Sequence, residues 1–339
     1  MSEHPNEREM KQLSPETVWQ MNEQDLLSLL NSGRLLSKTR KINFYAPSFM
    51  YYRTAYYCSS TSEFPTISVT GKGCALKCRH CGGLVLETMY PVTTPENLFD
   101  LCKSIKANGA LGCLISGGCL PDGSVPLKGF AETIRRVKNE LGLTVFVHSG
   151  IIDVATAEAL KSAGIAAALI DVIGSDETIR EIYNLNVTVK DYDRSLKVLR
   201  QAGIVTVPHV VAGLHNGRLR GELDALQMIE GYSPSAVVVI AFTPIRGTDM
   251  ENVHPPKPLD IARVVATARL MLPHVPVVLG CMRPKGKHRE ETDILAVKAG
   301  ANAIAFPTER AVKFAEDNGY KVAFSSLCCS QIYVDIVHA

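Results

Sequence analysis

Cys74-Ala75-Leu76-Lys77-Cys78-Arg79-His80-Cys81 stands shortly after a β-branched run, Thr66-Ile67-Ser68-Val69-Thr70. Three thiols at offsets of four and three residues can hold three irons of a cubane iron–sulfur cluster. The fourth iron is then open to a ligand that is not protein. Most iron–sulfur carriers close every corner with cysteine, so a three-cysteine loop points to catalysis rather than electron carriage. The bland alternatives are a zinc site or scattered buried thiols. Zinc sites usually pair two short Cys-x2-Cys knuckles, and the chain has no second knuckle.

Outward from this loop, short apolar runs alternate with helical patterns. Strands are expected over 67–70, 112–116, 144–148, 166–171, 204–210, 236–242, 275–279 and 303–306. Helices are expected over 96–106, 130–140, 154–163, 192–202, 222–229, 259–270, 290–299 and 309–317. Eight strand–helix units imply parallel pairing with right-handed crossovers. Apolar strands without alternation suit a sheet buried on both faces. The expectation is an α/β fold, a closed (β/α)8 TIM-type barrel with its chemistry at the C-terminal strand ends. The division expected is a helical and aromatic arm over 1–62, a barrel over 63–318 and a tail over 319–339. In the arm, Ser14-Pro15 and Asn22 with Asp25 are helix-start signals, and Gly33 is a stop.

The chain has 339 residues, 46% hydrophobic and 21% charged, which suits one large globular barrel. A net charge of +2 with no basic block points away from nucleic acid and membrane surfaces. Met1-Ser-Glu-His-Pro-Asn-Glu-Arg-Glu lacks the pattern of a secretory leader, and no run is long enough for a bilayer span. Ten cysteines in such a chain suggest metal binding or catalysis in a reducing interior, so a cytoplasmic location is expected.

The Cys-x3-Cys-x2-Cys spacing, with His80 before the last cysteine, resembles the radical S-adenosylmethionine (SAM) superfamily. That resemblance implies a SAM-binding 4Fe–4S cluster on Cys74, Cys78 and Cys81. It implies that Gly117-Gly118, after the second strand, receives the methionine end of SAM; Cys119 stands where the family often has Glu. Polar residues at successive strand ends, His148 and Asp171, converge on a barrel mouth. Asp171 is a candidate for ribose hydroxyls. Pro208-His209-Val-Val-Ala-Gly213 looks like the superfamily's SAM-contacting glycine segment, which adds His209 and Gly213.

Residues 64–320 resemble biotin synthase and its relatives, most closely in Ala299-Gly-Ala-Asn-Ala-Ile-Ala-Phe306. Arg283 lies near the position of an arginine that binds that family's second cluster, while Cys113 falls in mid-strand. Cys58, Cys281, Cys328 and Cys329 form a candidate ligand set for a second 4Fe–4S cluster. In this respect the chain resembles the components of two-protein lipoyl synthases. The resemblance implies sulfur insertion into an octanoyl chain on a lipoyl carrier protein, with a paralogous partner subunit and an electron donor such as ferredoxin or flavodoxin. Biotin synthase proper, a radical SAM mutase or maturase without sulfur insertion, and a non-catalytic iron–sulfur scaffold stand as alternatives.

Overall fold

The structure, a computed structural model, describes residues 13–48, 50–59 and 62–335. Its strands are β1 (Lys41–Tyr45), β2 (Thr66–Ser68), β3 (Tyr90–Pro91), β4 (Gly112–Ser116), β5 (Thr144–His148), β6 (Ala167–Asp171), β7 (Thr206–Ala212), β8 (Val237–Ala241), β9 (Val277–Leu279), β10 (Ala303–Ala305) and β11 (Lys321–Ser325). Two helices, α1 (Pro15–Gln20) and α2 (Glu23–Asn31), precede them. Between and after the strands run α3 (Pro95–Ala107), α4 (Ala131–Leu141), α5 (Val154–Ala163), α6 (Asp176–Tyr183), α7 (Val189–Gln201), α8 (Glu222–Glu230), α9 (Pro258–Met271), α10 (Lys287–Lys298), α11 (Glu309–Asp317) and α12 (Ile332–Asp335).

All recorded strand pairings are parallel, in the order β11–β1–β10–β9–β8–β7–β6–β5–β4–β2–β3. The eight expected strands are β2 and β4 to β10. They do not close into a ring. β1 takes the edge of β10 in the register Asn43↔Ala303, β11 adds outside β1, and β3 adds outside β2. The edge of β10 is occupied by strands from the arm and the tail and that of β2 by β3, so the TIM-type sheet is a curled half-barrel.

The two faces of the sheet are covered differently. Ala168 and Ile170 of β6 pack in the large apolar cluster shared with the helices. Their neighbours Ala167 and Leu169 point the other way, as strand alternation requires, into a second cluster with Phe146, Val207, Val238 and Val278. No residue of α1 to α11 belongs to that concave cluster. Cys329 and Ile332 of the tail do. The tail is anchored there by Tyr333, whose hydroxyl donates to the Ala166 carbonyl at 3.2 Å, and by a Tyr45–Asp335 hydrogen bond. The C-terminal segment thus fills the floor of the half-barrel.

The arm packs on the outside. Asn22 accepts from the Asp25 backbone at 2.9 Å and donates to its carboxylate at 2.8 Å, starting α2. Arg263 of α9 donates to the carbonyls of Val18, Trp19 and Met21, satisfying the C-terminal end of α1. No helix among the described residues is long and apolar enough to cross a membrane.

Candidate active site

The cysteine loop leaves the C-terminal end of β2, where barrel chemistry is expected. Its turn is held from two sides. Lys77 adopts a positive φ of 44°, and Asn184 donates to the carbonyls of Leu76 and Lys77 at 3.4 and 3.3 Å. The Arg79 amide donates to the Ile182 carbonyl at 2.9 Å. After Cys78 the chain tightens, with the amides of Cys81 and Gly82 both donating to the Cys78 carbonyl. One donor atom each of Cys78, His80 and Cys81 lies within 4.8 Å of the others. A hydrogen bond from the Cys78 thiol lowers the Cys81 pKa to about 4 against the opposing effect of burial, and His80 assists. Within the Cys78–Cys81 pair, Cys81 is therefore the one that offers the thiolate metal ligation needs.

Gly117 and Gly118 lie against this loop. A β-carbon on Gly118 would meet the Gly73 carbonyl and stand 2.6 Å from Cys74 Cβ. The Gly118 amide donates to Thr70 Oγ1 at 2.7 Å, and the Ala75 amide donates to the Cys119 carbonyl at 2.8 Å. Cys74, Cys78, Cys81, Gly117 and Gly118 all line one cavity of about 220 Å³. Three thiols around a space that only side-chain-free residues leave open fit a cluster with its ligand beside it. Cys119 also lines this space, but burial pushes its thiol up to about 12, so it contributes its backbone.

A second cavity of about 330 Å³ adjoins the first and shares His80, Cys81, Ser116, His148 and Asp171 with it. It occupies the concave face, and its walls are largely apolar: Leu114, Leu169, Val211, Val238, Ile240 and Phe242. His148, Asp171 and His209 interrupt them. Asp171 pairs in register with His209, and His148 with Leu169, so the three point to one side of the sheet. His148 Nε2 stands 3.4 Å from Asp171 Oδ1. Burial opposes both charges, yet each holds the other: Asp171 stays below and His148 above its ordinary range. His209 loses that contest, and burial lowers it to about 4.

The far wall of this cavity carries Cys281, Cys328, Cys329 and Ser330. Burial pushes Cys281 up to about 11, while a hydrogen bond from Cys329 draws Cys328 down to about 7. Three of the four thiols expected for a second cluster therefore line one cavity. Cys58 does not join them. Its antiparallel bridge with Arg53 turns it to solvent, and it is exposed. Gly213 is a second correction: it lines neither cavity. Its φ of 70° makes a turn behind the wall, its amide donates to Glu222 at 2.8 Å, and its neighbour Leu214 faces the cavity instead. Cys102 and Cys113 are fully buried between sheet and helices and are structural. Arg283 is also buried, with Nε on Asp293 at 2.7 Å and its other nitrogens on the Gly280 and Phe306 carbonyls.

The chain matches the Radical SAM superfamily model over residues 68–218 and the Biotin and Thiamin Synthesis associated domain over residues 239–320. A biotin synthase of Hyphomonas neptunium is 32% identical over 253 residues, covering 70% of this chain and 75% of the relative. The chain belongs to the biotin synthase family of radical SAM proteins. The mitochondrial biotin synthase of Emericella nidulans is 30% identical and shares 68% of this chain with 58% of its own length. The same fold occurs in a crystallised maturase of the FeFe-hydrogenase (TM-score 0.63, 16% identity, 96% of this chain and 74% of that one). It occurs again in methylornithine synthase (TM-score 0.56, 19% identity, 91% and 97%). The family uses SAM and 4Fe–4S clusters, and the associated domain accords with a second cluster.

Thr70, Tyr183 and Asn184 support the cysteine loop and were not singled out from the sequence. Cys78 Sγ lies 3.4 Å from the Tyr183 carbonyl oxygen, and the His80 and Tyr183 rings lie 5.1 Å apart. Only Asn184 carried a local signal, as a polar residue able to take a positive φ at the end of α6.

Proposed function

We propose that this chain inserts sulfur into an unactivated C–H bond. The observation behind this reading is that Cys281, Cys328 and Cys329 line the same apolar cavity as Cys81. When bound, a SAM-ligated cluster on Cys74, Cys78 and Cys81 supplies a 5′-deoxyadenosyl radical, and a second cluster supplies the sulfur. The chain's own residues do the rest. The apolar walls exclude water and hold an aliphatic segment between the two thiol sets. Cys329 and Ile332 close the floor, so substrate enters from the C-terminal face. Ser330, buried next to Cys328, offers an oxygen ligand to the thiol wall.

Two substrates are in question. The curated relatives favour dethiobiotin, the biotin synthase substrate. A second reading, one component of a two-protein lipoyl synthase, is favoured by the source of the thiols. The cavity-facing residues of β4 to β8 include no cysteine, and the tail supplies Cys328 and Cys329. The substrate would then be an octanoylated lipoyl carrier protein, with a paralogous partner subunit. Either reaction requires a reducing protein such as ferredoxin or flavodoxin.

The test is anaerobic. The C74A/C78A/C81A variant should retain about half the wild-type iron, as one cluster per ligand set implies. Wild-type protein with a reductant and SAM is then given dethiobiotin or an octanoyl-lysyl carrier domain. Biotin formed supports the first reading, and thiolated octanoyl the second. SAM cleavage with neither product, or no iron in the variant, removes sulfur insertion and leaves the mutase or maturase class.

A further inference from the structure

Cys281 faces the cavity against the alternation of its own strand. In β9, Val277 and Leu279 pack with the helices, and Val278 packs in the concave cluster. Continued regularly, Gly280 would face the concave side and Cys281 the helices. Gly280 follows the rule: a β-carbon on it would stand 2.5 Å from Ile240 Cγ2 and 2.6 Å from Val238 Cγ1. Both of those residues are walls of the cavity. Cys281 breaks the rule, for it lines the same cavity.

The hydrogen bonds show where the ladder gives way. β8 and β9 pair in the register Val237↔Val277 and Val239↔Leu279. The Val237 amide donates to the Pro276 carbonyl at 2.9 Å, and the Gly280 amide to the Val239 carbonyl at 2.7 Å. By this parallel pattern the Ala241 amide would donate to the Gly280 carbonyl. It donates instead to the Met282 carbonyl at 2.8 Å. The Gly280 carbonyl is taken by Arg283 Nη1 at 2.6 Å. The result is a bulge, a device that re-aims side chains beside active sites. Arg283 is itself fixed, at Nε by Asp293 of α10 and at Nη2 by the Phe306 carbonyl.

We propose that Arg283 is a positioning residue for the thiol wall. By holding the Gly280 carbonyl out of the β8–β9 ladder, it turns Cys281 from the helices into the cavity. Arg283 itself does not line the cavity, and its side chain is 0% exposed. It therefore orients a candidate ligand and does not act as one. That Cys281 goes on to hold a cluster rests on the sulfur-insertion reading; the turning of the thiol does not.

The test uses the full chain freed of iron and kept anaerobic. Peptide mass spectrometry reads the rate at which N-ethylmaleimide alkylates each cysteine. R283K keeps a charge beside Asp293 but cannot hold the Gly280 and Phe306 carbonyls together. R283M/D293L replaces the pair with apolar side chains, a change that buried ion pairs often tolerate. In both variants Cys281 should react at least about tenfold more slowly than in the wild type, because a thiol packed among helices is reached only through local opening. Cys328, in the same cavity, should keep its rate and serves as the reference. A merely structural role for Arg283 predicts the opposite sign: Cys281 would react faster, together with the fully buried Cys102 and Cys113. That outcome, or an unchanged Cys281 rate in a folded variant, overturns the proposal. Should the double variant not fold, R283K decides. Iron in the C74A/C78A/C81A chain is a separate readout. Its absence removes the sulfur-insertion reading and leaves the alkylation result standing.

Discussion

Gly118 touches the backbone of the first cluster cysteine: a β-carbon placed on it would lie 2.7 Å from Cys74 Cα. Its φ is not in the left-handed region, so space and not conformation requires glycine here. Gly118→Ala should push the cysteine loop away or fill the space beside it. A loss of SAM affinity of tenfold or more is expected, about 1.4 kcal/mol. Equilibrium dialysis on the reconstituted protein reads it directly. Equal affinity would make the glycine pair an ordinary turn.

Cys78→Ala should abolish 5′-deoxyadenosine formation. Two thiols do not hold a cluster with one open corner, whereas removing one small buried sulfur leaves the sheet and helices intact. Product chromatography reads the activity, and far-UV circular dichroism reads the fold. Full SAM cleavage by a folded variant would contradict the role given to the loop.

Arg283 and Asp293 form an ion pair in which both side chains are 0% exposed. Asp293 also accepts from the Thr308 amide at 2.9 Å. Asp293→Ala leaves a buried guanidinium without its counter-charge and should cost about 3–5 kcal/mol. A urea midpoint on the cluster-free chain measures this. A change under 1 kcal/mol would show that the Gly280 and Phe306 carbonyls hold the guanidinium without the carboxylate.

Glu222 is 4% exposed, and burial pushes its carboxyl from 4.5 up to about 7. The Gly213 amide, which favours the charged form, only partly offsets this. The folded chain thus holds the proton more tightly than the unfolded chain. Stability from this group is full below about pH 4.5, falls between 4.5 and 7, and is lost above 7. The span is about 3 kcal/mol at 1.4 kcal/mol per pH unit. Glu222→Gln should remove that slope and equal or exceed the wild type at pH 7.5. Thermal unfolding at pH 5.5 and 7.5 compares them, and parallel pH profiles would refute the assignment.

The cysteine loop was legible because its information is local: three thiols within eight residues on one turn. The eight strands β2 and β4 to β10 were legible because apolar β-branched runs separated by amphipathic helices have no other economical packing. β1 and β11 were not. Lys41-Ile-Asn-Phe-Tyr45 is short and merges with the aromatics that follow, and β11 is an edge strand whose residues are exposed or half-buried. β1 is a strand because β10 and β11 flank it, and β11 because β1 is beside it. The placing of Cys281, Cys328 and Cys329 along one cavity was legible as a suspicion, since strand ends and tails meet at a barrel's interior. Cys58 looked equivalent, and only the Arg53–Cys58 hairpin geometry separates it. Asn184 under the cysteine loop depends on contacts across more than a hundred residues, at which no spacing rule operates.

The pairing of Asn43 with Ala303 has a consequence for how the protein is made. β1 leaves the ribosome early and finds neither β10 nor β11 until some 260 residues more have been translated, which takes on the order of tens of seconds. Through that interval an aromatic strand with both edges bare is exposed to other chains. Its partners arrive together with the thiol-bearing tail. The edge of the sheet and the floor of the half-barrel are therefore completed in one late event, and the cluster proposed for that wall has to wait for it.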